Sequence, residues 1–392
     1  MDPMNDTTLD ALIVGARAAG AATGLLLARA GLRVAVVDRG QEGQDTLLTH
    51  ALMRGGVLQL RRWGLLDRLV AAGTPPVRSA TFHYGDETVG VQIKPRDGVE
   101  ALYAPRRTVL DPLLVSAARE AGAEVRHGLA LRNLERDGAG RVVGARLVGL
   151  DGAPLRVRAH LVIGADGLGS TVASQVGAAV QRAGHHATAV LYAHLSGLPV
   201  EGYHWFYASG VSAGAIPTDA GRTCLFVAVP PARFRAALPD GLEALYREAL
   251  AEAAPALAAR LGAAQREGKL HPFTGRPGFL RQAWGPGWAL VGDAGAFRDP
   301  ITAHGLTDAL RDAELLARAV ITEGEAGLAG YQAARDQAAG GLLEVSDRIA
   351  ALHRPLEAMK ADHQQLARLL AAEVELLRGL DGDPDARAAA GA

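Results

Sequence analysis

Runs of consecutive apolar residues flank a helical pattern at the start of the chain. The runs Leu9–Val14 and Leu32–Asp38 each predict a buried strand. Between them, Ala18–Ala30 has the composition of a helix that begins at a glycine turn and closes at Gly31. The three elements predict a βαβ unit of about 30 residues, the building block of a parallel sheet.

A different pattern follows. After a predicted helix over Val57–Ala72, the segment 74–100 is richer in Pro, Gly, Thr and Val. Within it, alternation of apolar and polar residues in Thr81–Tyr84 and Thr88–Ile93 predicts hairpin strands. We interpret this segment as an excursion out of the first domain.

The antiparallel-like pattern returns over 188–229, with Tyr203–Tyr207 and Cys224–Val229 as predicted strands. Other predicted elements are helices over Arg107–Ala121 and Leu242–Leu261, strands near Val125 and over Arg141–Val148 and Leu155–Ile163, and helix from Gly305 almost to Leu380.

This order of elements predicts an α/β fold: a dinucleotide-binding parallel-sheet domain interlocked with an antiparallel-sheet substrate domain and followed by a helical C-terminus. The predicted domains are 1–75, 100–175 and 282–335 for the first, 76–99 and 176–281 for the second, and 336–392 for the C-terminal segment, in which 381–392 form a frayed tail. Two domains suit 392 residues, since single cores stop growing at about 250–300.

Composition narrows the ligand class. The 41 basic and 42 acidic side chains nearly cancel, so no long-range field favours nucleic acid or an anionic membrane. Cys224 is the only cysteine, which excludes a disulfide framework and a thiolate metal cluster. The adjacent pair His185 and His186 lacks the helical spacing of metal ligands, so we predict no metal site. A small molecule is the predicted partner.

The N-terminus lacks a basic n-region and an apolar stretch, and no apolar run reaches the length of a membrane span. We therefore expect a cytoplasmic protein. The sequence leaves the oligomeric state open, with a homodimer among the options.

Three distant segments each join a strand-like run to glycine: Leu12–Gly20, Leu161–Gly167 and Ala289–Ala294. Two of them also carry an acid, Asp166 and Asp293. In this order they outline one dinucleotide site assembled from both ends of the chain. The spacing indicates FAD.

The first segment has the features of a turn that binds a pyrophosphate. Gly15 allows a tight turn, Gly20 lets the helix pack on the strand, and the helix N-terminus offers N–H groups to a pyrophosphate. Arg17 stands where the fingerprint has its middle glycine. Asp38, 18 residues after Gly20, can accept hydrogen bonds from an adenosine ribose. An ordinary glycine turn is the alternative.

The other two segments also precede predicted helix starts. Asp166 precedes a predicted helix start at Ser170, so a simple helix cap is the alternative reading of that motif. After Gly292 and Asp293, a proline-containing loop leads into a helix at Gly305. The N–H groups of that helix N-terminus could stabilise negative charge on a reduced flavin.

Up to about residue 330, these residues resemble the class A flavoprotein monooxygenases of the p-hydroxybenzoate hydroxylase fold. The resemblance implies that FAD is bound by Gly15, Ala16, Arg17, Ala19, Gly20, Asp38, Arg39, Arg54, Arg107, Asp166, Gly167, Gly292, Asp293, Gly305, Leu306 and Thr307. Arg54 would lie near the pyrophosphate and Arg107 would contact the flavin side chain. Ala296 and Thr307 depart from the histidine and asparagine of many relatives.

The resemblance also implies a substrate side. An antiparallel sheet would cover the flavin, with Tyr192, His204, Trp205 and Tyr207 as predicted substrate contacts, although packing explains such aromatic residues equally well. Along the strand, Trp205 and Tyr207 share one face and His204 takes the other. Pro300 would lie close to the ring, and His304 would orient or deprotonate a phenol.

The implied reaction is a monooxygenation. NADPH or NADH reduces the flavin, dioxygen adds to give a C4a-hydroperoxide, and an aromatic or polyketide-like carbon attacks its distal oxygen. The sequence does not decide the nicotinamide, the substrate or the need for a separate reductase.

Three alternatives stay open. A flavin-dependent halogenase shares the fold but needs a lysine near the substrate, and lysine occurs only at Lys94, Lys269 and Lys360. A reductase of prenyl double bonds would use the same FAD site without oxygen. A non-catalytic FAD-binding protein would bind flavin without rapid NAD(P)H oxidation.

Overall fold

The structure, a computed structural model, describes residues 8–46 and 51–380. Its strands are β1 (Leu9–Val14), β2 (Val34–Asp38), β3 (Ser79–Tyr84), β4 (Glu87–Gln92), β5 (Glu124–His127), β6 (Leu129–Arg136), β7 (Val142–Gly149), β8 (Pro154–Gly164), β9 (Val180–Ala183), β10 (Ala189–Ser196), β11 (Tyr203–Ala208), β12 (Val211–Thr218), β13 (Arg222–Val229), β14 (Gln265–Phe273), β15 (Phe279–Arg281), β16 (Trp284–Gly285), β17 (Trp288–Leu290) and β18 (Ala296–Phe297).

The helices are α1 (Ala18–Arg29), α2 (Arg54–Arg62), α3 (Leu66–Ala71), α4 (Arg107–Glu120), α5 (Thr171–Val176), α6 (Pro231–Ala236), α7 (Leu242–Ala253), α8 (Pro255–Ala258), α9 (Gly305–Glu323), α10 (Leu328–Ala350) and α11 (Leu356–Gly379). Among the described residues, none of these helices has the length and apolarity needed to cross a membrane.

The first layer is an eight-stranded sheet with the path β16-β17-β8-β1-β2-β5, and β6 and β7 extend it from β8. Ala11 of β1 pairs in parallel with Val34 on one side and with Leu161 on the other. This confirms the βαβ unit and places the strand ends of all three glycine segments at one edge, since β17 runs parallel to β8.

The second layer is a seven-stranded sheet in the order β14-β10-β13-β12-β11-β3-β4. Its strands are antiparallel except where β11 runs parallel to β3, pairing Trp205 with Phe82. The alternation predicted for this strand is confirmed, because Tyr203, Trp205 and Tyr207 are buried while the residues between them are only half-buried. A three-stranded sheet of β9, β15 and β18 completes the fold.

Several predicted bounds are wrong, for local reasons. The helix expected over 57–72 is two helices, because the chain turns at Gly64 with φ +72°. The helix expected over 242–261 breaks before Pro255, whose ring cannot continue a preceding helix. The C-terminal helix is three helices, α9, α10 and α11. The domain bounds stay a prediction, and the bound at 335/336 falls within α10. Strand β6 was not predicted, and the expected tail 381–392 lies outside the described residues.

Candidate flavin site

Steric contacts at three glycines bring the three predicted segments together. Gly15 has φ +110°, and a Cβ there would lie 2.3 Å from the carbonyl oxygen of Ala165. A Cβ on Gly20 would lie 1.8 Å from the carbonyl oxygen of Gly15, and one on Gly292 would lie 2.8 Å from the Cβ of Ala19. Only glycine permits these approaches, so the segments meet at one point because of their sequence.

Asp38 ties the end of β2 to the glycine turn. Its carboxylate accepts hydrogen bonds from the backbone N–H of Ala16 at 2.8 Å and of Gly40 at 2.7 Å. The side chains of Arg17 and Arg39 beside it are exposed. Helix α1 begins after Arg17 with no side-chain cap and no acid in its first turn, which leaves its N-terminal N–H groups available to an anion.

An open cleft lies at this point, and its lining includes Ala16, Arg17, Asp38, Asp111 and His127. The cleft has the place and the polar groups expected for the adenosine half of a dinucleotide.

The second motif is engaged in helix capping. The Asp166 carboxylate accepts hydrogen bonds from the backbone N–H of Thr171 at 2.6 Å and of Val172 at 3.2 Å, and from the hydroxyl of Ser170. Gly167 turns the chain with φ +76°. The capping alternative therefore accounts for the contacts of Asp166, and its role toward FAD stays a prediction.

Asp293 is a perturbed acid in the third segment. Burial raises its pKa to about 7, and the nearby Asp308 carboxylate adds to the shift while Arg107 opposes it. Arg107 itself is buried and donates from Nε to Asp111 at 2.9 Å. An acid whose pKa is strongly raised is a candidate for a functional site.

The loop after β18 is fixed at its start by Asp299. This carboxylate accepts bonds from the N–H and hydroxyl of Thr188 at 2.7 and 2.6 Å and from the N–H of Ile301 at 2.9 Å. Burial raises the pKa of Asp299 to about 6. Pro300 begins a single 3-10 turn, and Ala303 takes a left-handed conformation with φ +49° before α9 starts.

His304 is a buried residue. It is 2% exposed, and its Nε2 lies 2.7 Å from a carboxylate oxygen of Glu373 in α11. Burial raises the pKa of Glu373, but His304 and Arg311 outweigh this effect and hold that pKa well below its usual range. One ring nitrogen of His304 is thus held by a carboxylate, and its role in orienting or deprotonating a phenol stays a prediction.

Around His304, buried ion pairs form a network. Arg311 donates to Asp308, Asp312 and Glu373 at 2.6 to 2.7 Å, and Arg298 pairs with Asp308. His304, Asp308 and Glu373 bring one ligand atom each within 4.8 Å of one another, a spacing that a metal ion could use. The two guanidinium groups already bind these carboxylates, so the arrangement is that of an ion-pair network.

Three other predicted site residues, Leu306, Thr307 and Arg54, are in contact with other parts of the protein. Leu306 is buried, and Thr307 accepts a hydrogen bond from the N–H of Met53 at 3.1 Å. The Arg54 guanidinium donates to the carbonyls of Lys94 at 2.7 Å and Val99 at 3.1 Å. The predicted pyrophosphate contact would require Arg54 to leave these partners.

The aromatic face of the second sheet meets this loop. Tyr192, Trp205 and Tyr207 belong to one buried apolar cluster with Ile301 and Ala303. We call this surface the aromatic wall. A ring held at the loop would therefore face it.

His204 does not belong to the aromatic wall. It lies on the opposite side of β11, with Nδ1 3.2 Å from Nε2 of His83 and its ring stacked on Phe206. His204 and Trp205 lie on opposite faces of β11, as the strand alternation predicts, and their roles toward a substrate stay predictions.

Two residues of α11 were missed from the sequence: Glu373 and His363. The ring of His363 lies 4.5 Å from that of Tyr207, and its Nδ1 lies 3.1 Å from the hydroxyl of Tyr84. Burial lowers the pKa of His363 to about 4, so its imidazole is neutral at pH 7. Neither residue has a local sequence signal, because each is one polar position in an amphipathic helix.

These residues fit an FAD cofactor. The glycine contacts leave room only for backbone, the cleft at Asp38 has polar groups for a ribose, and the N-terminus of α1 is uncapped. In addition, Nδ1 of His304 is buried without a hydrogen-bond partner among the described residues, which is costly unless a ligand supplies one.

Comparison with known proteins also indicates that the chain binds FAD. The family model described as "FAD binding domain" matches residues 8–346. Aklavinone 12-hydroxylase RdmE of Streptomyces purpurascens is 33% identical over 229 residues, which are 52% of this chain and 42% of that protein. The chain thus spans less than half of that relative's length.

Solved structures share the fold. The flavin-dependent brominase Bmp2 has a TM-score of 0.80 at 21% identity, with 95% of this chain and 94% of that chain covered. PqsL of P. aeruginosa, solved with 2-aminobenzoylacetate, has a TM-score of 0.73 at 24% identity, with 93% and 100% covered. At such identities the likeness shows the architecture alone.

Proposed function

Since this chain belongs to the FAD-binding domain family, we propose that it is an FAD-dependent monooxygenase that hydroxylates an aromatic or polyketide-like small molecule. NADPH or NADH serves as the reductant and dioxygen as the co-substrate. When bound, FAD supplies the electron transfer from nicotinamide to dioxygen.

One observation carries this proposal. The loop that leads into α9 shares one buried apolar cluster, through Ile301 and Ala303, with Tyr192, Trp205 and Tyr207 of the aromatic wall. A planar substrate between the loop and the wall would be stacked and shielded from water, which protects a reactive adduct from hydrolysis.

Different residues of the chain would bind different parts of the FAD. The turn at Gly15 and Gly20, with Asp38, would hold the adenosine and pyrophosphate, and Asp293 would bind the ribityl chain or the pyrophosphate. Arg107 lies close enough to Asp293 to lower its pKa, and both would face the flavin side chain. Pro300 and Gly305 would shape the backbone next to the ring.

Lysine positions support a hydroxylase over a halogenase. The side chains of Lys94 and Lys269 are exposed, and that of Lys360 pairs with Glu87. The 33% identity to an aklavinone 12-hydroxylase also favours hydroxylation of a ring-bearing substrate.

Stopped-flow reduction of the FAD-loaded protein tests the proposal. NADPH or NADH is mixed with the protein in the presence of phenols, pyridines, indoles and quinones, and flavin reduction and oxygen uptake are followed. We expect one compound to accelerate reduction and to leave with one added oxygen atom. Reduction only by a separate reductase, with a halide-dependent product, would favour the halogenase. Product formation without oxygen uptake would favour the prenyl reductase.

A further inference from the structure

Helix α11 lies beyond the residues that match the family model, 8–346, yet it reaches the loop at the candidate flavin site. The contact is between Glu373 and His304, which are 69 residues apart in sequence and 3% and 2% exposed. The site therefore depends on a residue that this chain adds to the family-matched part.

The Glu373 side chain is locked in place. One carboxylate oxygen accepts from Arg311 at 2.6 Å and the other lies 2.7 Å from Nε2 of His304. The helix around it is fixed as well, since Arg62 donates to the carbonyl of Leu377 at 2.7 Å. Glu373 can therefore hold the His304 ring in one orientation.

This orientation determines which nitrogen carries the proton. An ionised carboxylate only accepts hydrogen bonds, so Nε2 of His304 must carry a proton and donate a hydrogen bond to Glu373. In the neutral imidazole, Nδ1 is then the only ring nitrogen of His304 that can accept a hydrogen bond or exchange a proton. It is also the buried atom that lacks a partner among the described residues.

A metal ion is a weaker explanation for the unpartnered atom. The charged groups that face His304 are Arg298 on its own loop, Asp308 and Arg311 on α9, and Glu373 on α11. The two arginines already bind the carboxylates of Asp308, Asp312 and Glu373, so a divalent cation would have to displace them.

We propose that Glu373 is a positioning residue of the flavin site, which holds the Nε2 N–H of His304 so that Nδ1 accepts a hydrogen bond from a bound ligand. The donor is an N–H or O–H group, supplied either by the flavin ring or by a phenolic substrate. This inference rests on the proposed function for the presence of these ligands.

Nitrogen-15 NMR of histidine-labelled wild-type protein tests it without any substitution. The resonances of His304 are assigned with His304→Gln and recorded in the apo protein, with FAD, and with FAD plus any phenol that perturbs the flavin absorbance. We expect a protonated Nε2 throughout. An upfield shift of Nδ1 on FAD addition assigns the donor to the flavin, and a shift that needs the phenol assigns it to the substrate. If no phenol perturbs the flavin, the FAD arm decides alone.

Affinities give the second readout. Glu373→Gln should weaken binding of the donor ligand about 3- to 10-fold, the effect of about 0.6–1.4 kcal/mol for one hydrogen bond. The control Glu375→Gln, on the same helix but half exposed and paired with Arg96, should leave it unchanged. Because Glu373 would act only through His304, the double variant with His304→Asn should bind as His304→Asn alone does.

Two results overturn the inference: a proton on Nδ1 with none on Nε2, or an Nδ1 resonance that neither ligand moves although FAD binds. The proposed function fails separately. If Nδ1 shifts as expected but no compound stimulates oxygen uptake, the positioning role of Glu373 stands and the monooxygenase does not.

Discussion

Asp38 and Ala16 are 22 residues apart in sequence, yet a carboxylate oxygen of Asp38 accepts a hydrogen bond from the backbone N–H of Ala16 at 2.8 Å. This bond joins the end of β2 to the first residue of the glycine turn. It keeps the carboxylate at the cleft where an adenosine ribose would bind.

Asp38→Asn should therefore weaken FAD binding about 10- to 100-fold, since charge-assisted hydrogen bonds contribute about 1.5–3 kcal/mol. Fluorescence titration of the apo protein with FAD measures the dissociation constant. Asp10→Asn, at the other end of β1 and paired with exposed Arg33, is the matched control and should bind FAD as the wild type does. Equal losses in both variants would refute the ribose role of Asp38.

Gly20→Ala should prevent FAD binding and destabilise the protein. The added Cβ would lie 1.8 Å from the carbonyl oxygen of Gly15, so α1 must move away from β1. Gly330→Ala is the control, because Gly330 is exposed on α10 with open space around it, and alanine there should stabilise by up to about 1 kcal/mol. Thermal unfolding and FAD titration of both variants check this, and a Gly20→Ala protein with normal FAD affinity contradicts it.

The two faces of β11 should respond differently to substitution. Trp205→Leu on the aromatic wall should raise the KM of the substrate about 3- to 10-fold, because the lost aromatic contact contributes about 0.5–1.5 kcal/mol beyond burial. His204→Ala on the opposite face should leave KM unchanged. Steady-state kinetics with the best substrate measures both, and the reverse order of effects would place the substrate elsewhere.

Asp293 should make the stability of the apo protein depend on pH. Its pKa is raised from 3.8 to about 7 in the folded chain, so the folded state keeps a proton that the unfolded state releases between these values. This contribution to stability is full below about pH 4, is lost as the pH rises toward 7, and is constant above that.

Asp293→Asn should remove this loss. The difference in unfolding free energy between Asp293→Asn and wild type should then grow in favour of the variant from about pH 4 to about pH 7. Denaturant unfolding across this range measures it, with Asp86→Asn on an exposed turn as the control. A difference that does not vary with pH contradicts the burial of an ionisable Asp293.

Local patterns were sufficient for the first βαβ unit and the alternation in β11. The turn requires glycine at Gly15 and Gly20, because a Cβ at either position would clash with the backbone. The alternation of buried residues in β11 follows from the pleat of the strand. These features depend on neighbours in sequence, so the sequence alone predicted them.

Long-range contacts were not predictable in this way. Glu373 contacts His304 across 69 residues, and on an amphipathic helix it looks like any solvent-facing acid. Tertiary packing, rather than local propensity, placed Glu373 beside His304. The break at Gly64, with φ +72°, and the capping bonds of Asp166 to residues four to six positions along the chain are local features; the first was missed and the second was left open.

The central claim is that three distant segments, around Gly15, Ala165 and Gly292, form one FAD site. Reconstitution of the purified apo protein with excess FAD, followed by gel filtration, tests it most directly. We expect a yellow protein that retains one FAD per chain, and a Gly20→Ala protein that elutes colourless. A wild-type protein that elutes colourless after saturation with FAD would contradict the account.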